Sequence, residues 1–464
     1  METLRREIAV ALMLGNLACG RSALPGIPPR AAPLRTEMLT PATSSREPLA
    51  SAPERVELRA IEGGLWVATV PAEAAYVSVR LAAAREDRGD LLDAYLVELL
   101  GSLLDEAAPP GVRFAAATTP ELLIVGFEAN PESALAALDM LAAAVSGGEL
   151  APEPFARHHR RRLRDVLERE TSSLALMKVV LRRQVYGNDH PWGRDADSTM
   201  DELQELELEA ASERLRELFP RLSSAFVMVG PPEHLVSDQE ISARLGALTS
   251  SVAALPPVPH LPTTKDDLSI HFFRKPYDRL TSMALLHLAP ASNAEADSGA
   301  FLLFAEMMKG ASSGFETRLV RRNGVTELLA SRTTASGEAA AQLLLHLDWL
   351  RRVRNGGASA EELRAAVRRL EARTLRSRGR PDLVSEELAA RLVRARRGCG
   401  TPAECPDAVA LGTPPGLDAL KAEDIAEVAR RCIDPDRADV AWVGPPSSLH
   451  PLGARGRVYE YEVE

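Results

Sequence analysis

"AFVMVGPP" spans residues 225–232, and its last four residues, Val229-Gly230-Pro231-Pro232, return as Val443-Gly444-Pro445-Pro446. The second copy lies 214 positions after the first (443 against 229). Leu203 and Leu417 keep the same offset, as do Leu206 and Leu420. Each copy reads as a helix followed by an apolar strand that stops at a Gly-Pro turn. A helix and strand repeated in constant register mark a tandem duplication of a unit of about 200 residues, an ordinary domain size.

The flanking segments fit that frame. Residues 56–70 read as a hairpin turning at Gly63-Gly64, and 76–83 as another strand. Residues 90–104 are helical by length and apolar content, and 112–127 give two strands around Thr118-Thr119-Pro120. Pro131 opens a helix to 144, in the first-turn position that proline favours. Helices follow over 152–170, on to 184, and over 200–219. After a break at Leu255-Pro256-Pro257-Val258-Pro259 the order restarts, with strands at 268–273 and 282–288 and a helix at 299–309. Ser359 followed by Glu362 is a capping-box start for a further helix. The expected fold class is α+β: two tandem homologous domains, each a sheet with packed helices.

Composition agrees. The 464 residues are 45% hydrophobic and 26% charged, a soluble globular mixture too long for one core. Aromatics at 4% favour helices with small-residue packing. The formal charge of −10 argues against a general nucleic-acid binder. Four cysteines cannot build a disulfide scaffold.

Arg5 and Arg6 precede an apolar stretch over 8–14, too short for a permanent membrane span but proportioned like an export signal. Ala18-Cys19-Gly20 resembles the end of a bacterial lipoprotein signal, in which Cys19 would be lipidated. Asn16 stands where that pattern prefers leucine. Residues 20–53 are rich in Pro, Ala, Ser and Thr without apolar periodicity and read as a tether. The expected organisation is a signal (1–19), a tether (20–54), a first domain (55–245), a Pro-rich linker (246–266), a second domain (267–450) and a tail (451–464).

Taken in order, several segments resemble the pitrilysin/insulinase family of zinc metallopeptidases, in its two-domain, processing-peptidase-like branch. "ELAPEPFARHHRRRLRDVLERE" resembles the helix after the first sheet, and "VYGNDHPWGRDADSTMDELQEL" the segment that follows. "AFVMVGPP" resembles the closing strand, and "GASSGFETRLVRRNGVTELLAS" is similar to a stretch of the second half. The resemblance runs from Val56 to Leu449.

Active members of that family carry H-x-x-E-H on a helix. Two histidines at i and i+4 share one helix face, a later glutamate completes the ligands, and the motif glutamate is the general base. "AYLVELL" (94–100) lines up with that motif. Tyr95 and Leu99 then stand at the histidine positions, Glu98 at the general-base position and Glu170 at the third-ligand position. Leucine cannot ligate a metal, and a tyrosine phenol titrates near pH 10. Two carboxylates alone form an oxygen site with little zinc preference. Zinc is thus expected for the family but not supported here, and no metal or other cofactor is expected. In the second half, Val320 and Glu327 stand where the resemblance expects an arginine and a tyrosine that hold substrate.

Gly310-Ala311-Ser312-Ser313-Gly314 matches G-x-S-x-G, but a nucleophile elbow needs a preceding strand and residues 301–309 read as helix. It reads as a small-residue loop. His158 and His159, among five nearby arginines, read as a solvated basic face. The arginine-rich stretch 364–397 reads as a charged helix exterior, with an acidic partner, an anionic membrane or substrate carboxylates as alternatives. Cys399 and Cys405 could close a small disulfide in an exported protein, leaving Cys432 free and buried.

The resemblance implies a catalytically inactive homologue, and the N-terminal pattern places it in a bacterial cell envelope, facing the periplasm. It would be the structural or substrate-holding subunit beside an active homologous peptidase, or a homodimer. The alternatives are a stand-alone peptide-binding lipoprotein, or a peptidase with an altered site using Glu98 and Glu170. A peptide ligand and a lipid anchor are expected; nucleic acid is not.

Overall fold

The computed structural model describes residues 55–461 apart from 86–91, 149, 171, 188–189, 194–196, 250–266, 276–277, 290–298, 311–313, 323–324, 406–408, 410–415 and 453–455. The expected signal with Cys19, the tether up to 54 and most of the Pro-rich linker lie outside the described residues.

The first half contains β1 (Glu57–Ala60), β2 (Trp66–Pro71), β3 (Val77–Ala84), α1 (Leu92–Ala107), β4 (Val112–Thr118), β5 (Leu122–Ala129) and α2 (Ala134–Val145). It continues through α3 (Pro152–Glu170), α4 (Ser173–Tyr186), α5 (Asp197–Gln204), α6 (Leu208–Glu217), β6 (Ser224–Gly230) and α7 (Asp238–Leu245). The second half contains β7 (Ser269–Arg274), β8 (Leu280–Ala289), α8 (Gly299–Lys309), β9 (Glu316–Arg322), β10 (Val325–Ala335), α9 (Ala339–Arg354) and α10 (Ala360–Arg378). It ends with α11 (Pro381–Arg396), α12 (Ala422–Cys432), β11 (Asp439–Gly444) and β12 (Arg457–Tyr461).

Two six-stranded mixed sheets result, in the orders β1-β2-β6-β3-β5-β4 and β12-β7-β11-β8-β10-β9. The duplication is visible in the register. Val229 of β6 pairs with Val70 and Ser78, and Val443 of β11 pairs with Phe273 and Ser282. The repeated Val-Gly-Pro-Pro therefore closes the same central strand twice. The outer strands break the repeat: β1 runs antiparallel to β2, whereas β12 runs parallel to β7. The residues assigned to a C-terminal tail thus supply a strand of the second sheet.

Local chemistry explains the elements. Gly63 and Gly64 both have positive φ, 81° and 84°, and make the turn between β1 and β2. Ser359 accepts from the Glu362 backbone N–H at 3.1 Å, and Glu362 accepts from the Ser359 N–H at 2.8 Å, so the expected capping box opens α10. Strands β3, β5, β6 and β11 are buried along their whole length. Strands buried on both faces need cover on both sides.

That cover is exchanged between the halves. One face of the first sheet packs on α1, α2, α3 and α6. Its other face meets Val384, Leu388, Ala389, Leu392 and Val393 of α11, a second-half helix. One face of the second sheet packs on α8, α9, α10 and α12. Its other face meets Met177, Val180, Leu181 and Val185 of α4, a first-half helix. Each half completes the core of the other.

Candidate functional site

Helix α1 lies over the first sheet with α3 beside it, and the residues of "AYLVELL" divide between core and rim. Leu96, Val97, Leu99 and Leu100 are buried in the apolar core. Leu99, at one histidine position of the resemblance, is a core leucine with no donor atom.

Tyr95, at the other histidine position, is also buried. Its hydroxyl lies 3.0 Å from the His159 carbonyl oxygen, to which it donates, and 2.5 Å from His159 Nδ1. The two rings meet edge to face, and Phe155 stacks on the other side of His159 at 5.5 Å. Burial pushes the phenol pKa up, with the Arg162 charge opposing it only in part. Burial, and then the neighbouring Arg160 charge, lower the His159 pKa. A neutral imidazole against a protonated phenol is the stable pairing.

Glu98 remains partly exposed. Its carboxylate forms an ion pair with Arg162 of α3 and accepts from the Thr118 hydroxyl at 3.0 Å. Glu170 ends α3, but its side chain lies outside the described residues. These residues do not fit a zinc ion: one position offers carbon, the next a protonated phenol, and the carboxylate already has a cation. Among the described residues no group of three or more His, Cys, Asp or Glu could hold a metal.

The two histidines differ from the solvated face expected of them. His159 turns inward onto Tyr95, while His158 pairs with Glu106 at the end of α1, together with Arg157. Adjacent helical residues point in different directions, so each meets a different part of α1.

Val320 and Glu327 are direct cross-strand partners on β9 and β10. Glu327 is buried, and accepts from Arg322 at 2.5 Å, from Arg182 at 3.0 Å and from the Tyr186 hydroxyl at 3.2 Å. Arg182 and Tyr186 belong to α4, so the network joins the halves. Arg322 also sits over the Trp192 ring at 4.9 Å. Burial pushes the Glu327 carboxyl up, but the Arg182 and Arg322 charges and hydrogen bonds outweigh it and hold it below the usual range. Burial and the Glu327 charge push the Tyr186 phenol up.

The G-x-S-x-G stretch follows α8 rather than a strand, and 311–313 lie outside the described residues. Cys399 and Cys405 form a disulfide with Cα atoms 6.2 Å apart, and Cys432 is buried and outside any disulfide.

The chain shares its fold with solved structures. It is similar to a protease from Helicobacter pylori, with TM-score 0.67 and 15% identity, over 85% of this chain and all of that one. It is also similar to a peptidase M16 inactive domain from Pseudomonas fluorescens, with TM-score 0.65 and 15% identity, over 84% of this chain and 98% of that one. A chain of complex III2 from Candida albicans gives TM-score 0.64 and 12% identity, over 86% and 97%. No family model matches the chain, and no curated protein does. The fold is α+β and M16-peptidase-like, with two mixed sheets packed by helices. Neighbours with this fold include a protease, an inactive domain and a chain of a multi-subunit complex, so the role turns on this chain's own residues.

Proposed function

We propose that this protein is a non-catalytic member of the pitrilysin-like metallopeptidases, acting as the structural or peptide-holding subunit beside an active homologue. One observation carries the reading: the α1 positions that would build the metal site are a core leucine, a phenol tied to His159 and a carboxylate paired with Arg162. The two partners that close this region, His159 and Arg162, both come from α3 and are native side chains of the same half. The M16 inactive domain of Pseudomonas fluorescens offers a structural precedent.

We place the protein in a bacterial cell envelope, tethered through a lipidated Cys19, on the strength of the N-terminal pattern. Replacing Cys19 by Ser should release the protein from the membrane fraction. The central test is to purify the full chain, measure bound metal by elemental analysis and assay peptide hydrolysis, alone and with a co-expressed active homologue. The expected result is substoichiometric zinc, no hydrolysis alone, and a stable complex with the homologue. Stoichiometric zinc with proteolysis by the isolated chain would sink the proposal. Peptide binding without any homologue in the complex would favour the stand-alone binding protein.

A further inference from the structure

Helix α8 is the second-half counterpart of α1, and α10 is the counterpart of α3. The buried residues of α1, including Tyr95, Leu96, Val97, Leu99 and Leu100, recur as Leu303, Phe304, Ala305, Met307 and Met308 of α8. In that register Glu306 stands where Glu98 stands. The first half gives its carboxylate one close guanidinium, Arg162. The second half surrounds Glu306 with Lys309 at 3.3 Å, Arg373 at 3.1 Å and Arg369 at 3.6 Å. A cavity of about 470 Å³ opens here, and Arg368 and Arg376 also line it. One carboxylate therefore faces five cations, in a chain whose net charge is −10.

This excess is built into the helix rather than scattered over it. The lining residues of α10 run from Ala365 through Arg368, Arg369, Ala372 and Arg373 to Arg376, which is one helix face. Eleven steps of helix give a stripe about 16 Å long. The two alanines leave the floor low between guanidinium rows. Gly310 leaves room for Arg369, since a Cβ there would collide with its guanidinium. Glu306 orders Arg369 and Arg373, whereas Arg376 bonds only to the Ala372 carbonyl at 3.2 Å. Among the described residues the Arg368 side chain makes no ion pair or hydrogen bond. Like charges gathered in a concave site attract a multiply charged anion and focus its approach.

We propose that this cavity binds an acidic stretch of an extended peptide, carboxylates on guanidinium forks. Guanidinium pairs carboxylates bidentately. The stripe matches about five residues of extended chain at about 3.3 Å each. The choice of a peptide rests on the peptide-holding role proposed above; the charge excess does not.

The test is fluorescence anisotropy with the full chain and a labelled hexapeptide of Asp and Glu, beside its Asn/Gln counterpart. The acidic peptide should bind at least about tenfold tighter at low salt, and the advantage should shrink as salt rises. The double substitution Arg368→Gln/Arg376→Gln should weaken binding about tenfold while leaving thermal unfolding unchanged, because neither side chain anchors the fold. Equal binding of the two peptides, or full binding by the double variant, would overturn the proposal. Binding of inorganic tripolyphosphate without binding of the acidic peptide would also overturn it, replacing the peptide by a phosphate ligand. Zinc and proteolysis found in the earlier test would remove the non-catalytic role and leave this binding result standing, so the two failures are distinguishable.

Discussion

Glu98 in the first half and Glu327 in the second are both carboxylates held by arginine, yet their settings differ. Glu98 sits at the rim of α1, its side chain 23% exposed, facing an Arg162 side chain that is 25% exposed. Glu327 is 1% exposed, and its two arginines come from different halves. Water reaches both partners of the first pair; in the second it reaches only the Arg182 side, while Glu327 and Arg322 stay buried. The resemblance places both residues at positions of expected chemistry, and the structure gives them unlike jobs. One pairs with Arg162 at the rim of α1, and the other fastens α4 to the second sheet. Identity at a family position does not fix what a charge does; burial and partners do.

The largest way to sharpen that contrast is Glu327→Ala. It removes the carboxylate that Arg182 and Arg322 share inside an interface, which should cost about 3–5 kcal/mol. The measurement is the urea midpoint of the full chain. A loss below about 1 kcal/mol would mean the buried network is dispensable. Next come the exchanged helices. Leu181→Ala in α4 and Leu388→Ala in α11, both fully buried, should each cost roughly 2–5 kcal/mol. Because each helix completes the other half's core, both variants should keep a single unfolding transition by tryptophan fluorescence and circular dichroism. Two separated transitions would show that the halves unfold independently.

Acid pH probes the second half. Burial lowers His287 to about 4, against the raising charges of Asp434 and Asp439. Burial, with the His287 charge adding to it, lowers His346 to about 3. Both folded values lie below the unfolded value of about 6.5, so the stability tied to keeping these rings neutral is fully present above pH 6.5. It is lost as pH falls from there towards the folded values. At pH 5 the loss should be roughly 2–4 kcal/mol for the two together. Substituting His346→Phe, a ring that keeps the stack on Phe315, should flatten this acid limb. An unchanged urea midpoint between pH 7.5 and 5 would contradict the buried neutral pair.

Part of this fold is legible in the sequence alone. The repeated Val-Gly-Pro-Pro, the Gly63-Gly64 turn and the Ser359 capping box were readable because each is a local signal with a local cause. So was the "AYLVELL" helix, since its leucines and its missing imidazoles lie within one turn of each other. The exchange of α4 and α11 was not readable. Apolar periodicity says that a helix has a face to bury, not which sheet receives it. The role of His159 was hidden by the arginines around it, whose composition suggests a solvated face. Only the packing of α3 on α1 turns that ring towards Tyr95. Strand β12 is short and largely exposed, so its pairing with β7 depends on an edge that only the folded sheet provides.

The smallest expected effect is the most telling for function. In Glu98→Gln the amide keeps the shape and the contact with Thr118 but loses the charge facing Arg162. Both side chains are partly wet, so the stability change should stay below about 1 kcal/mol. In a complex with an active homologue, the hydrolysis rate should not move, because in the proposed role the homologue supplies its own catalytic base. A general base would instead contribute a factor of about 10²–10⁴. A rate loss of that size in Glu98→Gln, with the complex still assembled, would return Glu98 to the catalytic role that its position on α1 first suggested. An unchanged rate beside a Glu327→Ala variant with a much lower urea midpoint would leave the contrast between rim and seam as physical chemistry sets it.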